Sequence, residues 1–163
     1  MPTVLPLMSS IKEDLVRQER EYIATLMQTE EWKRINALES ALESMPPEYH
    51  LDAPLTHVFT PGLYGRKVLM RKGALLTSRI HLTEHQFVVL RGVVSVWDGD
   101  EGVVTLRAGH NGITKAGTRR VLFIHEDCEW MTFHATNETD PDKIVMQLTY
   151  TGGKFRDIGG AKA

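Results

Sequence analysis

At 163 residues the chain can build one well-formed core and a small appendage, and its 42% hydrophobic and 25% charged residues are those of an ordinary globular protein. A net charge of −2 argues against a general nucleic-acid binder, although it leaves room for local basic patches. A single cysteine, Cys128, excludes an intrachain disulfide framework and points to a reducing compartment.

The first residues, Met-Pro-Thr-Val-Leu-Pro-Leu, have no basic region and no sufficient apolar run, which predicts no secretory leader. No stretch approaches the roughly 18 apolar residues of a membrane span. The expectation is therefore a cytoplasmic protein without a membrane partner. Pro2 and Pro6 predict an extended arm over residues 1–8. Ser10 and Glu13 then have capping-box spacing, with Ser10 as the N-cap. Ile11, Leu15, Tyr22 and Leu26 follow at near-heptad spacing, and Trp32, Ile35, Leu38, Leu42 and Met45 form a second apolar stripe that ends at Pro46-Pro47. The pattern leaves open two helices or one bent helix. Such a stripe must be buried, either across the β-region of the same chain or in a homo-oligomer paired through these helices.

From Leu51 the composition shifts to Gly, Val and Thr, with apolar runs of strand length. Residues 55–59, 63–71 and 75–81 read as strands, as do 86–90 and 93–98 on either side of Arg91-Gly92. Strands over 103–107 and 113–115 follow two turn clusters, and 119–124 with 129–135 reads as a hairpin around His125-Glu-Asp. Short strands without intervening helices predict an antiparallel sandwich or barrel. Asp140-Pro-Asp142 resembles a helix start, giving a short helix or a strand over 141–150. The expected organisation is an arm and helical segment over 1–50, a β-barrel over 51–150 and a loose, glycine-rich tail over 151–163.

Within the β-region, Thr77, Arg79 and His81 alternate with Ser78 and Ile80, which places three polar side chains on one strand face, with His85 four residues further on. Gly73, Arg79, His81, His85 and Gly92 have the spacing of a motif that elsewhere reads Gly, His-x-His, Glu and Gly. Gly109, Lys115, Gly117 and Arg120 have the spacing of a second, which reads Gly, Pro-x-Gly and His. In these two stretches the chain resembles the cupin superfamily. The resemblance implies a mainly β fold, a cupin-like antiparallel barrel (jelly roll, or double-stranded β-helix) with an added N-terminal helical segment. It covers about half the chain and extends to small cupin-like proteins of bacteriophages. That likeness would place the chain in a host cytoplasm or a virion.

The departures from the motifs decide how the site is read. The resemblance implies a divalent transition metal (Fe, Mn, Zn or Ni) on His81 and His85, with a third ligand from Glu84, His134 or His110. Arginine offers no lone pair, so Arg79 and Arg120 cannot replace the missing ligands. They suit an anion instead: Arg79, His81, His85, Lys115 and Arg120 are the candidate binding residues for a nucleotide, sugar phosphate or organic acid. The leading reading is a barrel that binds or sequesters a small anionic molecule. Metal-dependent isomerase, lyase or dioxygenase chemistry is the alternative, and a structural assembly module is the third. No acid–base or nucleophile set with defined roles is legible, which leans away from catalysis. The predicted hairpin turns His134 away from the Arg120 side. His50, His57, His110 and His125 read as surface or strand residues, Cys128 as unreactive, and Phe87, Trp97 and Trp130 as core. Gly152-Gly153-Lys154 lacks the spacing of a phosphate-binding loop.

Overall fold

Two long strands that each serve both halves of one sheet set the architecture. A computed structural model describes the backbone of residues 4–97 and 102–150. Its elements are α1 (Val4–Leu26), α2 (Glu30–Glu43), a single 3-10 turn (Pro47–Tyr49), β1 (Leu55–Thr60), β2 (Leu63–Met70), β3 (Leu75–Thr77), β4 (His85–Trp97), β5 (Val103–Arg107), β6 (Asn111–Thr114), β7 (Val121–Ala135) and α3 (Pro141–Leu148). All strand pairs are antiparallel, in the order β1-β2-β7-β4-β5, with β3 on β7 and β6 on β4. This is the mainly β, cupin-like jelly roll with helical additions.

The two central strands bend where their pairing slips. The β4–β7 register shifts three times between Val89 and Val94, and each shift unpairs a residue and turns the strands. On one side of the bend β4 pairs with β6 and β7 with β2. On the other side β4 pairs with β5 and β7 with β3. Buried side chains from both sides meet in one core, among them Phe87, Val89, Val94, Leu106, Ile124, Cys128 and Trp130. Gly92 stands at the bend with φ 89°, and a Cβ there would lie 2.3 Å from the Asp127 carbonyl oxygen. Only glycine fits.

Several sequence expectations are corrected here. There is no hairpin at His125-Glu-Asp: β7 runs unbroken, because β4 supplies a partner along nearly all of it. The two strands expected around Arg91-Gly92 are likewise the single strand β4. The strand expected over 75–81 ends at Thr77, and His81 makes only an isolated bridge to Thr149. Residues 4–8 belong to α1, not to an extended arm, so Ser10 lies inside a helix and is not its cap. The tail over 151–163, with Gly152-Gly153-Lys154, lies outside the described residues, as do Asp98 and Glu101.

The helical segment is two helices, separated at Thr29, whose side chain accepts from the Trp32 N–H and caps α2. Trp32, Ile35 and Glu39 of α2 are buried, and Ile23 and Trp32 cluster with Ile80, Leu82 and Tyr150. This part of the apolar stripe is thus spent on the chain's own barrel. The closing helix α3 starts on an Asp140 cap with Pro141 in its first turn. Its exit holds the segment before β4, with the Leu82 N–H on the Leu148 carbonyl and the Tyr150 N–H on the Ile80 carbonyl. No helix among the described residues is long and apolar enough to cross a membrane.

Candidate functional site

Because β7 is continuous, its even-numbered residues from Leu122 to His134, apart from Glu126, all face the interior. His134 therefore points inward, the reverse of the sequence expectation. In β4 the inward set begins at His85, whose cross-strand neighbour in β6 is Thr114. His81 is fixed from the backbone, with its carbonyl accepting from the Gly117 N–H and its residue bridged to Thr149. Three separate parts of the chain thus deliver one imidazole each.

The three rings form a single cluster. Ring centroids lie 4.3 Å apart for His81 and His85, 4.6 Å for His85 and His134, and 5.2 Å for His81 and His134. One ligand nitrogen from each ring lies within 4.8 Å of the others. His85 and His134 are buried and His81 is partly so. Burial, reinforced by the neighbouring imidazoles and by Arg66 and Arg79, holds His81 well below the ordinary histidine range. Burial first, then His85 and Arg66, depresses His134 to about 4. His85 is also lowered, by burial and Arg120 against the opposing pull of the Thr83 carbonyl. At neutral pH the three rings are uncharged and keep a lone pair.

The donor set fits a metal. His134 uses Nε2 on the Thr132 hydroxyl at 2.9 Å, while its Nδ1 is buried without a hydrogen-bond partner among the described residues. A buried, unpartnered imidazole nitrogen is costly unless something coordinates it. His85 Nδ1 donates to the Thr83 carbonyl at 3.3 Å, which leaves Nε2 to carry the lone pair. Such outer partners fix the tautomer and orientation of metal-binding histidines. His81, His85 and His134 are the residues that would hold the ion.

The same cluster borders a cavity of about 110 Å³ that is lined by Arg66, Arg79, His81, His85, Thr114, Arg120 and Thr132, and by apolar residues of β1, β2, β3 and β7. Arg120 Nη1 donates to Thr114 Oγ1 at 2.7 Å, and its guanidinium lies 5.1 Å from the Phe87 ring centre and 6.0 Å from that of Trp130. The structure therefore brings Arg79, His81, His85 and Arg120 to one cavity. Lys115 does not join them. Thr114, the last residue of β6, faces in, and Lys115 lines a separate cleft beneath α1 and α2 with His110. Sequence reasoning passed over Arg66, which gave no motif signal. Its inward parity with Tyr64 and Val68 on β2 was the clue that was available. Arg119 is also spoken for elsewhere, in a buried ion pair with Glu39.

No protein-family profile matches the chain, and no curated protein is similar to it. Solved structures are similar in fold at low identity. An ectoine synthase from P. lautus matches at 10% identity and a TM-score of 0.49, over 61% of this chain and 75% of that one. A Klebsiella pneumoniae protein with a double-stranded β-helix domain matches at 18% identity and a TM-score of 0.46, over 60% of this chain and 83% of that one. A cupin-2 domain protein from Shewanella frigidimarina matches at 15% identity and a TM-score of 0.42, over 61% of this chain and 92% of that one. By its own strand order and bent central strands, this chain has a cupin-like fold.

Proposed function

We propose that this chain is a small-molecule-binding barrel in which His81, His85 and His134 hold a divalent transition metal and Arg66, Arg79 and Arg120 receive the anionic end of a ligand. One observation carries the metal half: three uncharged imidazoles converge within 4.8 Å, and the buried Nδ1 of His134 has no hydrogen-bond partner. Three histidine ligands leave coordination positions open, as catalytic sites do and structural sites do not. Bound there, such an ion would supply Lewis acidity toward an oxygen of the ligand. The chain's own residues bind and orient. The arginines also set the charge balance, because guanidiniums beside a dication favour an anion in the same cavity.

Metal analysis of tag-free protein tests this. One divalent ion per chain is expected, lost in both His81→Ala and His134→Ala with the fold intact by circular dichroism. Full metal content in His134→Ala would sink the triad. So would failure of the metal-free protein to take up zinc, nickel, manganese or ferrous iron.

A second reading is an anion-binding barrel with no metal. The convergence of Arg66, Arg79 and Arg120 on the cavity favours it. Anion binding by protein that never takes up metal is its expected signature.

A further inference from the structure

The lining of the cavity changes character along three stretches of chain, in the same direction. On β2 it runs from Met70 and Val68 to Arg66, and on β7 from Trp130 to Thr132, two residues before His134. These two gradients are in register, since Val68 stands opposite Trp130 and Arg66 opposite Thr132. The third stretch runs from Leu76, paired with Leu122, to Arg79 and His81, and His81 stacks on His134. One end of the cavity therefore carries Arg66, Arg79 and the imidazoles, and the other is mainly aliphatic and aromatic, with Arg120 lying over the Trp130 ring and held by Thr114.

Size narrows the ligand further. A cavity of about 110 Å³ is somewhat smaller than the ~150 Å³ that holds a benzene. It is also well short of the ~300–1,000 Å³ of pockets for larger organic ligands. A nucleotide would extend well beyond it. Inorganic phosphate would answer the arginines and leave the apolar half uncovered. A sugar phosphate would press some of its hydroxyls against the aliphatic side chains of Val68, Met70 and Leu76.

From this polarity and size we infer that the ligand is a short-chain monocarboxylic acid with an apolar tail. Its carboxylate lies at the Arg66–Arg79–histidine end and its tail against Val68, Leu76, Leu122 and Trp130. The inference rests on the anion-binding half of the proposed function and gives it a chemical class. It does not require the metal. Guanidinium forks bind a carboxylate by paired hydrogen bonds, and the aliphatic end rewards a tail with the bulk of isobutyrate.

Titration calorimetry on the full chain, both metal-free and zinc-loaded, tests it with isobutyrate, isobutanol (a neutral compound with the same tail), inorganic phosphate, glucose 6-phosphate and AMP. Isobutyrate is expected to bind at least about tenfold more tightly than isobutanol or phosphate, while glucose 6-phosphate and AMP do not compete. Arg79→Met should cost a further tenfold or so for isobutyrate and leave isobutanol unchanged. The comparison with the neutral alcohol keeps the test decisive if that variant folds poorly. Equal affinity for isobutanol, tighter binding of AMP or phosphate, or no isobutyrate binding in either form overturns the inference. Isobutyrate binding to a protein that never takes up zinc would remove the metal reading and leave this one standing. Zinc held by the triad without isobutyrate binding would do the reverse.

Discussion

Arg119 Nη2 donates to Glu39 Oε2 at 2.6 Å, with both side chains sealed from solvent, so the N-terminal helices are bound to the barrel by a buried ion pair. Further contacts surround the pair. Arg119 Nη1 reaches Asn36 Oδ1 at 2.5 Å, Glu39 Oε1 accepts from the Thr77 hydroxyl at 2.6 Å, and the guanidinium lies 5.4 Å from the Trp32 ring centre. Thr77 borders the histidine cavity, and the next residue, Ser78, exchanges hydrogen bonds with Arg120. The pair therefore ties α2 to the two stretches that carry Arg79, His81 and Arg120.

Removing one partner leaves the other charge buried and alone, which typically costs about 3–5 kcal/mol. Glu39→Ala and Arg119→Met should each lower stability by that order in urea titrations. The double variant Glu39→Leu/Arg119→Met should cost clearly less than the sum, because no charge is stranded. Additive losses would show that the pair does not act as a unit.

How far this arrangement was legible in the sequence depended on what each signal measured. Gly73, Gly92, Gly109 and Gly117 mark the turns and bend of the barrel, and all four have positive φ, a backbone property that a motif records directly. Arg79, His81, His85 and Arg120 fell at motif positions and line one cavity. His134 was misread because His125-Glu-Asp looked like a turn, three polar residues between apolar runs. They are instead an outward and bulged stretch of one strand. Alternation of buried residues from Leu122 and Ile124 to Cys128, Trp130, Thr132 and His134 was the signal that could have carried through it. Lys115 failed for a related reason. A one-residue step along a strand changes the face, and motif spacing does not specify which neighbour of an inward residue also points inward.

The bend at Gly92 yields the sharpest stability prediction. Any side chain there meets the Asp127 carbonyl oxygen at 2.3 Å, in a backbone region that L-residues avoid. Asp127 has little room to withdraw, since its carboxylate accepts from the Lys72 N–H at 2.9 Å and from Arg71 at 3.0 Å. Gly92→Ala should destabilise by more than about 2 kcal/mol, the strain and the clash acting together. Gly73→Ala has the same sign of φ but open space around its Cβ, and should cost distinctly less. Equal denaturation midpoints for the two variants would refute the role given to the Asp127 contact.

Cys128 lies in the core with no exposed surface, and burial pushes its thiol up to about 11 against a smaller opposing effect of Arg91. At pH 8 roughly one molecule in a thousand would carry the thiolate, which is the form that reacts with alkylating agents. Iodoacetamide labelling followed by mass spectrometry should be at least about a hundredfold slower in the native protein than in urea. Its rate should go on rising with pH up to that raised value, past the point where an exposed thiol levels off. Stoichiometric labelling of native protein within minutes at pH 8 would place Cys128 outside the core.

The hydrogen bond between His134 Nε2 and the Thr132 hydroxyl, in which Nε2–H donates when Nδ1 keeps the lone pair, offers a test of the metal reading that leaves every ligand in place. Thr132 is itself buried, and its hydroxyl lies 2.9 Å from that ring nitrogen. Losing it removes a contact that fixes the orientation of the imidazole. Outer partners of metal-binding histidines are typically worth 10–100-fold, or about 1.4–2.7 kcal/mol, in metal affinity. Thr132→Val keeps the shape and should weaken zinc binding by that factor, as measured by competition with a chelator. Thr132→Ser, which restores the hydroxyl, should recover most of it. A purely structural role predicts something different: both variants would shift thermal stability and leave zinc affinity unchanged. That outcome would detach Thr132 from the site and weaken the assignment of His134 as the third ligand.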